Sequence, residues 1–179
     1  MKTKIKCNAS RSSAERNAFE YFKLSTKELN LKGQFYLNVV PFDNPQLFNC
    51  QYLNNFDISL NNQELVNYIS SKIHDNDSNW DFTQSFNTVK NSKFLFECDL
   101  VYVVNNKIRG IIEIQGPHHY SLYNGLSNFD QFVKTCINDF VKNEYCKTFD
   151  ISFFETKLIN GHQLNYEDLE HILSVFSCN

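Results

Sequence analysis

Apolar positions along the chain change period several times, and each change marks an element. Ser12-Ser13-Ala14-Glu15 has the form of a capping box, which satisfies the free N–H groups at a helix start. Ala18, Phe19 and Phe22 follow at helical spacing, with Leu24 close behind, so a helix is predicted from about Ser13 to Leu24. Phe35 to Val40 alternates as a strand does and ends at Pro41. The next stretch, PFDNPQLFNCQYLNNFD, carries turn chemistry and scattered aromatics and is read as an ordered loop. Asn62 to Ile73 has the spacing of a short helix through Leu65, Val66, Ile69 and Ile73. From there to Ser92 the chain is polar and Asn-rich, with Trp80, Phe82 and Phe86 as anchors. Residues 41–93 therefore read as an insertion, a natural place for substrate specificity.

The period then shortens to two. Val101 to Val104 and Ile108 to Ile114 are rich in β-branched residues, and Asn105-Asn106-Lys107 between them has turn chemistry, which predicts an antiparallel hairpin. Pairing Val104 with Ile108 sets Asp99 opposite Glu113 and Glu97 opposite Gln115, all four on one face, with Cβ atoms about 5 Å apart. Phe96, Cys98, Leu100, Tyr102, Ile112 and Ile114 then form the apolar face. Opposed carboxylates repel, and a shared proton or a divalent cation between them relieves the repulsion. Metal binding is the preferred explanation; the plain one is two solvated residues at a sheet edge.

Helical spacing returns at Phe129, Phe132, Val133, Cys136, Ile137, Phe140 and Val141, which predicts an amphipathic helix from Asn128 to about Lys147. Asp139 and Lys142 are three apart on it, the spacing of an ordinary surface ion pair. Asp150 to Phe154 reads as a strand, and Tyr166 to Phe176 as a terminal helix with Leu169, Ile172, Leu173 and Phe176 inward. A hairpin followed by a helix and another strand predicts an α/β fold, a mixed sheet flanked by helices.

Composition narrows the picture without redirecting it. At 179 residues, 42% of them hydrophobic, the chain suits one domain with a real core. Cysteines at positions 7, 50, 98, 136, 146 and 178 form no C-x-x-C pair and read as reduced thiols, so a structural zinc site is not expected. No apolar run reaches membrane-spanning length, and KTKIKC lacks the apolar segment of a secretory signal. The expectation is a cytoplasmic or otherwise intracellular protein with no membrane partner. A net charge of -3 counts against extended phosphate contact, but residues 1–16 carry a local +4 from Lys2, Lys4, Lys6, Arg11 and Arg16 against Glu15. The first ten residues read equally as a phosphate-holding arm and as a frayed terminus.

Asp99 followed by Glu113-Ile114-Gln115-Gly116-Pro117-His118-His119 resembles the core of the PD-(D/E)XK nuclease superfamily. Within it, the pattern is most similar to the very-short-patch-repair endonucleases and related small nucleases. Asp139-Phe140-Val141-Lys142 resembles that branch's D-x-x-K helix, and Glu15 its N-terminal acidic residue. The resemblance covers the first helix and roughly Phe94 to Phe154. It implies a restriction-endonuclease-like core and a divalent-metal-dependent endonuclease acting on nucleic acid, DNA ahead of RNA. Asp99, Glu113 and the backbone carbonyl of Ile114 would hold Mg²⁺ or Mn²⁺, with Glu15 behind them. Replacing either carboxylate with alanine is expected to abolish activity without unfolding the chain.

Gln115 stands where many members have lysine, and an amide can only hydrogen-bond. The resemblance passes the lysine's role to His119, whose imidazole can act as a base near neutral pH, or to Lys142. IEIQGPHHY also resembles the RAP domain of organellar RNA-processing proteins, which implies an RNA ligand. A nuclease fold kept for binding without activity is a further reading. Cutting both strands with one small site calls for a homodimer or two successive nicks.

Overall fold

A computed structural model of the chain describes residues 4–8, 12–73, 82–90, 96–116 and 129–178. Trp80, Pro117, His118 and His119 lie outside the described residues. Four strands form one sheet in chain order: β1 (Gln34–Val39), β2 (Cys98–Val104), β3 (Lys107–Gln115) and β4 (Ser152–Lys157). β1–β2 and β2–β3 are antiparallel. β3–β4 is parallel, the chain returning through the helix α5 (Phe129–Thr148), as a parallel connection requires. The protein is a mixed α/β fold with a four-stranded sheet flanked by helices.

Each face of the sheet has its own buried cluster. On one, Ala18 and Phe22 of α1 (Ser13–Glu28) and Leu169, Leu173 and Phe176 of α6 (Tyr166–Ser177) pack on Phe35, Leu100, Tyr102 and Ile112. On the other, α5 packs Val133, Ile137, Phe140 and Val141 against Val101, Val103 and Ile111. Among the described residues of 41–93 are a 3-10 turn (Pro41–Asp43), α2 (Cys50–Asn54), α3 (Gln63–Ser71) and α4 (Thr83–Val89). Phe48, Leu65, Ile69, Phe86 and Val89 join the same cluster as α5. This region is thus built into the core on α5's face. α4 is not visible in the sequence pattern because TQSFNTV contains too few apolar residues to show a period.

The ends of α1 and β4 also differ from expectation. Ser12 caps α1 as predicted, its Oγ accepting from Glu15 N–H (3.4 Å), but the helix runs four residues past Leu24. Leu24 is 57% exposed, whereas Ser25 is buried, because the inward face follows Ala18, Phe22 and Ser25 at steps of four and three. β4 begins at Ser152 because Asp150 sits at a φ of 53°, a turn conformation, and it continues through Glu155 to Lys157.

The β2–β3 hairpin reaches the expected register by an unexpected route. Asn105 and Asn106 have φ of 51° and 60°, the mark of a two-residue primed turn, and Val104 pairs with Lys107, not Ile108. A bulge then inserts one residue on β3, so that Tyr102 pairs with Gly110 and Leu100 with Ile112. Beyond the bulge the pairing is the one expected from the sequence, and it carries Asp99 alongside Glu113.

Candidate active site

At the far end of the hairpin, β2 and β3 exchange side-chain for backbone hydrogen bonds. The backbone register stops at Leu100–Ile112. One residue on, Asp99 N–H donates to Glu113 Oε1 (3.4 Å) and Ile114 N–H donates to Asp99 Oδ2 (2.8 Å). Two carboxylates thus satisfy N–H groups that the ladder no longer pairs. A residue's N–H and C=O project to the same side of a strand. The Ile114 carbonyl therefore lies on the β2 side of β3, as its N–H does.

The faces are not divided as the strict alternation predicted. Phe96 and Cys98 belong to the α5-side cluster, whereas Leu100, Tyr102, Ile112 and Ile114 belong to the α1–α6 side. The alternation of β2 slips at Asp99, where the pairing with β1 skips Asn38, whose φ is 49°. Glu97 does not face Gln115 either. It accepts from Asn8 Nδ2 (3.1 Å), while Gln115 Nε2 donates to Glu155 Oε1 (2.5 Å) on β4. Glu155 is a site neighbour that sequence reasoning missed. Only the parallel register, with Glu113 beside Glu155 and Gln115 beside Lys157, reveals it.

Glu113 is 2% exposed and pairs with Lys142, which is 6% exposed, at 2.5 Å. Asp139 is buried as well. The expected surface location of Asp139 and Lys142 is therefore corrected: both side chains are buried, and Lys142 reaches Glu113 on β3. Lys142 also sits 6.0 Å from the centre of the Phe96 ring. Glu15, on the first turn of α1, is close enough to Asp99 to raise its proton affinity.

Carboxylates outnumber cations here. Desolvation, and then the charge of Glu113, hold the Asp99 pKa well above the usual carboxylate range. Desolvation raises Glu113 to about 7, against the lowering pull of Lys142. For Lys142, burial opposes the charged form, but Glu113, Asp139 and Asp99 outweigh it and keep the ammonium charged. Among the described residues, no group of three or more His, Cys, Asp or Glu side chains is arranged to hold a metal ion. An ion at this place would take two carboxylates and neutral oxygens.

The structure brings Asp99, Glu113, Ile114, Gln115 and Lys142 together and sets Glu15 beside them, while the placement of His119 lies outside the described residues. No described helix is long and apolar enough to cross a membrane. No family model, no curated protein and no solved structure matches the chain.

Proposed function

We propose that the chain is a divalent-metal-dependent endonuclease with a restriction-endonuclease-like core, acting on DNA in preference to RNA. The observation that carries this reading is the pairing of half-buried Asp99 with buried Glu113, whose combined charge Lys142 alone does not balance. The element order supports it: α1, three antiparallel strands with the 3-10 turn and α2 to α4 set between β1 and β2, the crossover helix α5, the parallel strand β4 and then α6, with the acidic pair where β2 and β3 part. The donors fit a hard cation, since all are oxygens, two of them on carboxylates. Bound Mg²⁺ or Mn²⁺ would polarise a phosphate oxygen and lower the pKa of an attached water. Lys142 keeps Glu113 oriented and ionised, Glu15 adds negative charge behind Asp99, and His119 remains the candidate base.

The acidic excess makes metal and pH act together. The folded-state pKa of Glu113 lies above its ordinary 4.5, so its contribution to stability is fully present below 4.5 and lost as pH rises through about 7. Asp99 shifts in the same direction. In EDTA the denaturation midpoint is expected to fall between about pH 5 and pH 8, at up to about 1.4 kcal/mol per pH unit for each group. Mn²⁺ should restore stability at the upper pH and have little effect at the lower. A midpoint indifferent to Mn²⁺ at the upper pH would contradict the assignment.

A basic stretch reaches Glu97, two residues before Asp99. Residues 4–8 are tied down: Lys6 N–H donates to Asn44 Oδ1 (2.8 Å), Asn44 Nδ2 to the Lys6 carbonyl (2.9 Å), and Asn8 N–H to the Asn38 carbonyl (2.9 Å). Ile5 packs on the core while Lys4 and Lys6 are exposed, and Asn8 bonds Glu97, two residues from Asp99. This stretch is therefore an anchored arm suited to a phosphate backbone. Lys4→Ala with Lys6→Ala should weaken DNA binding and flatten the slope of log K against log salt by about 1.8, about 0.9 for each phosphate no longer neutralised. A salt titration by fluorescence anisotropy reads this, and an unchanged slope would remove the arm from the interface.

A second reading is a nuclease fold used to bind RNA, or a protein, without cleavage. It is favoured by Gln115 in the lysine position and by the engagement of Lys142 with Glu113. Incubating the purified chain with labelled DNA and RNA in Mg²⁺, Mn²⁺ or EDTA separates the two. Metal-dependent cleavage of DNA ahead of RNA supports the first reading; nucleic acid bound but intact supports the second.

A further inference from the structure

Gln115 is fully buried, and its Oε1 has no hydrogen-bond partner among the described residues. Buried acceptors are nearly always paired, so this one needs a reason. The other end of the same carboxamide is engaged, with Nε2 donating to Glu155 Oε1. In that bond a Glu155 oxygen accepts, so the NH₂ of Gln115, and not its oxygen, faces Glu155. That decides which way the planar group faces. With its NH₂ bonded to Glu155 on β4, its oxygen lies on the other arm of the amide, turned from that carboxylate.

We infer that Glu155 is a positioning residue that presents Gln115 Oε1 to the Asp99–Glu113 pair as a neutral oxygen ligand for a divalent ion. The inference rests on the metal-dependent reading above. An amide oxygen is an ordinary ligand for Mg²⁺ or Mn²⁺, and it adds no further negative charge to a place already crowded with carboxylates. It completes a donor set of two carboxylates, the Ile114 carbonyl and the Gln115 amide. Gln115 thereby has a role of its own in the position where the lysine of related nucleases stands. Glu155 itself is exposed at the sheet edge, so replacing it leaves the core intact.

The test is Mn²⁺ affinity of the full chain, measured by calorimetry and by electron paramagnetic resonance, with folding of each variant checked by circular dichroism. Glu155→Ala should weaken Mn²⁺ binding about tenfold. Glu155→Gln should restore it, because the new amide oxygen accepts from the Gln115 NH₂ as the carboxylate did. Gln115→Met should weaken binding as Glu155→Ala does, and the double variant should be no weaker than either single one. Unchanged affinity in Glu155→Ala would overturn the inference. So would Glu155→Gln as weak as Glu155→Ala, which would assign the effect to charge, or an additive double variant. Mn²⁺ binding that ignores Glu155 overturns this inference alone, whereas a wild-type chain that binds no Mn²⁺ overturns the metal-dependent reading and this inference with it.

Discussion

Lys142→Ala is expected to destabilise the chain by about 3–5 kcal/mol near pH 8, because buried Glu113 loses its charge partner and must either stay ionised without it or take up a proton. That is a large share of the about 5–15 kcal/mol that holds an ordinary domain together. The cost should depend on pH in a defined direction. Glu113 already titrates at about 7 with Lys142 beside it; without that ammonium its pKa rises further. At about pH 5 the carboxyl is protonated in the variant, and what remains is mainly the lost packing of the lysine stem. Lys142→Met keeps most of that stem, so its deficit should appear at the higher pH and nearly vanish at the lower. Urea denaturation at both pH values reads the difference. Equal deficits at the two values would mean that Lys142 acts by packing alone.

Asp99→Asn is expected to separate stability from activity. The asparagine side chain can still accept from Ile114 N–H through its amide oxygen, so the splayed end of the hairpin keeps its shape. The substitution also removes the negative charge that faces Glu113, so the metal-free chain should be as stable as wild type or more so above pH 7. Mn²⁺ affinity and cleavage should both fall, cleavage by about 10³-fold, since the reaction needs the ion and the field it provides. Cleavage retained at the wild-type rate would exclude Asp99 from the site. Asparagine is a better probe than alanine here. For Glu113, the expectation that alanine leaves the fold untouched gives way to its buried contact with Lys142: alanine would strand that ammonium, whereas glutamine fills the same space.

What could be read from the residues was what local period and spacing encode. The helix of Leu169, Ile172, Leu173 and Phe176 needs only a 3.6-residue repeat, and all four are buried. The meeting of Asp99 with Glu113 was legible because residues on a hairpin oppose one another in a fixed order. The assumed turn was nevertheless one residue too long, and a bulge beside Gly110 compensated. A glycine inside a β-branched run is the signal that could have placed that bulge.

Long-range placement was not legible. Nothing local says that Glu155 lies beside Glu113, because that contact depends on α5 returning the chain to the edge of β3. The burial of Asp139 and Lys142 was hidden for the same reason: helical spacing identifies neighbours on α5, not the strand beneath them. Within residues 41–93, spacing marked the helix of Leu65 and Ile69, whereas nothing in the polar, Asn-rich stretch after it gave α4, whose Phe86 is fully buried.

Everything proposed for this site depends on whether the acidic pair drives metal-dependent cleavage. The most direct measurement is the rate of cutting labelled DNA by wild type and Glu113→Gln, purified in parallel and both folded, in Mn²⁺ and in EDTA. Cleavage by wild type in Mn²⁺ alone, and none by the variant, is the predicted result. Equal cleavage by both chains, or none by either while Mn²⁺ is bound, would contradict it.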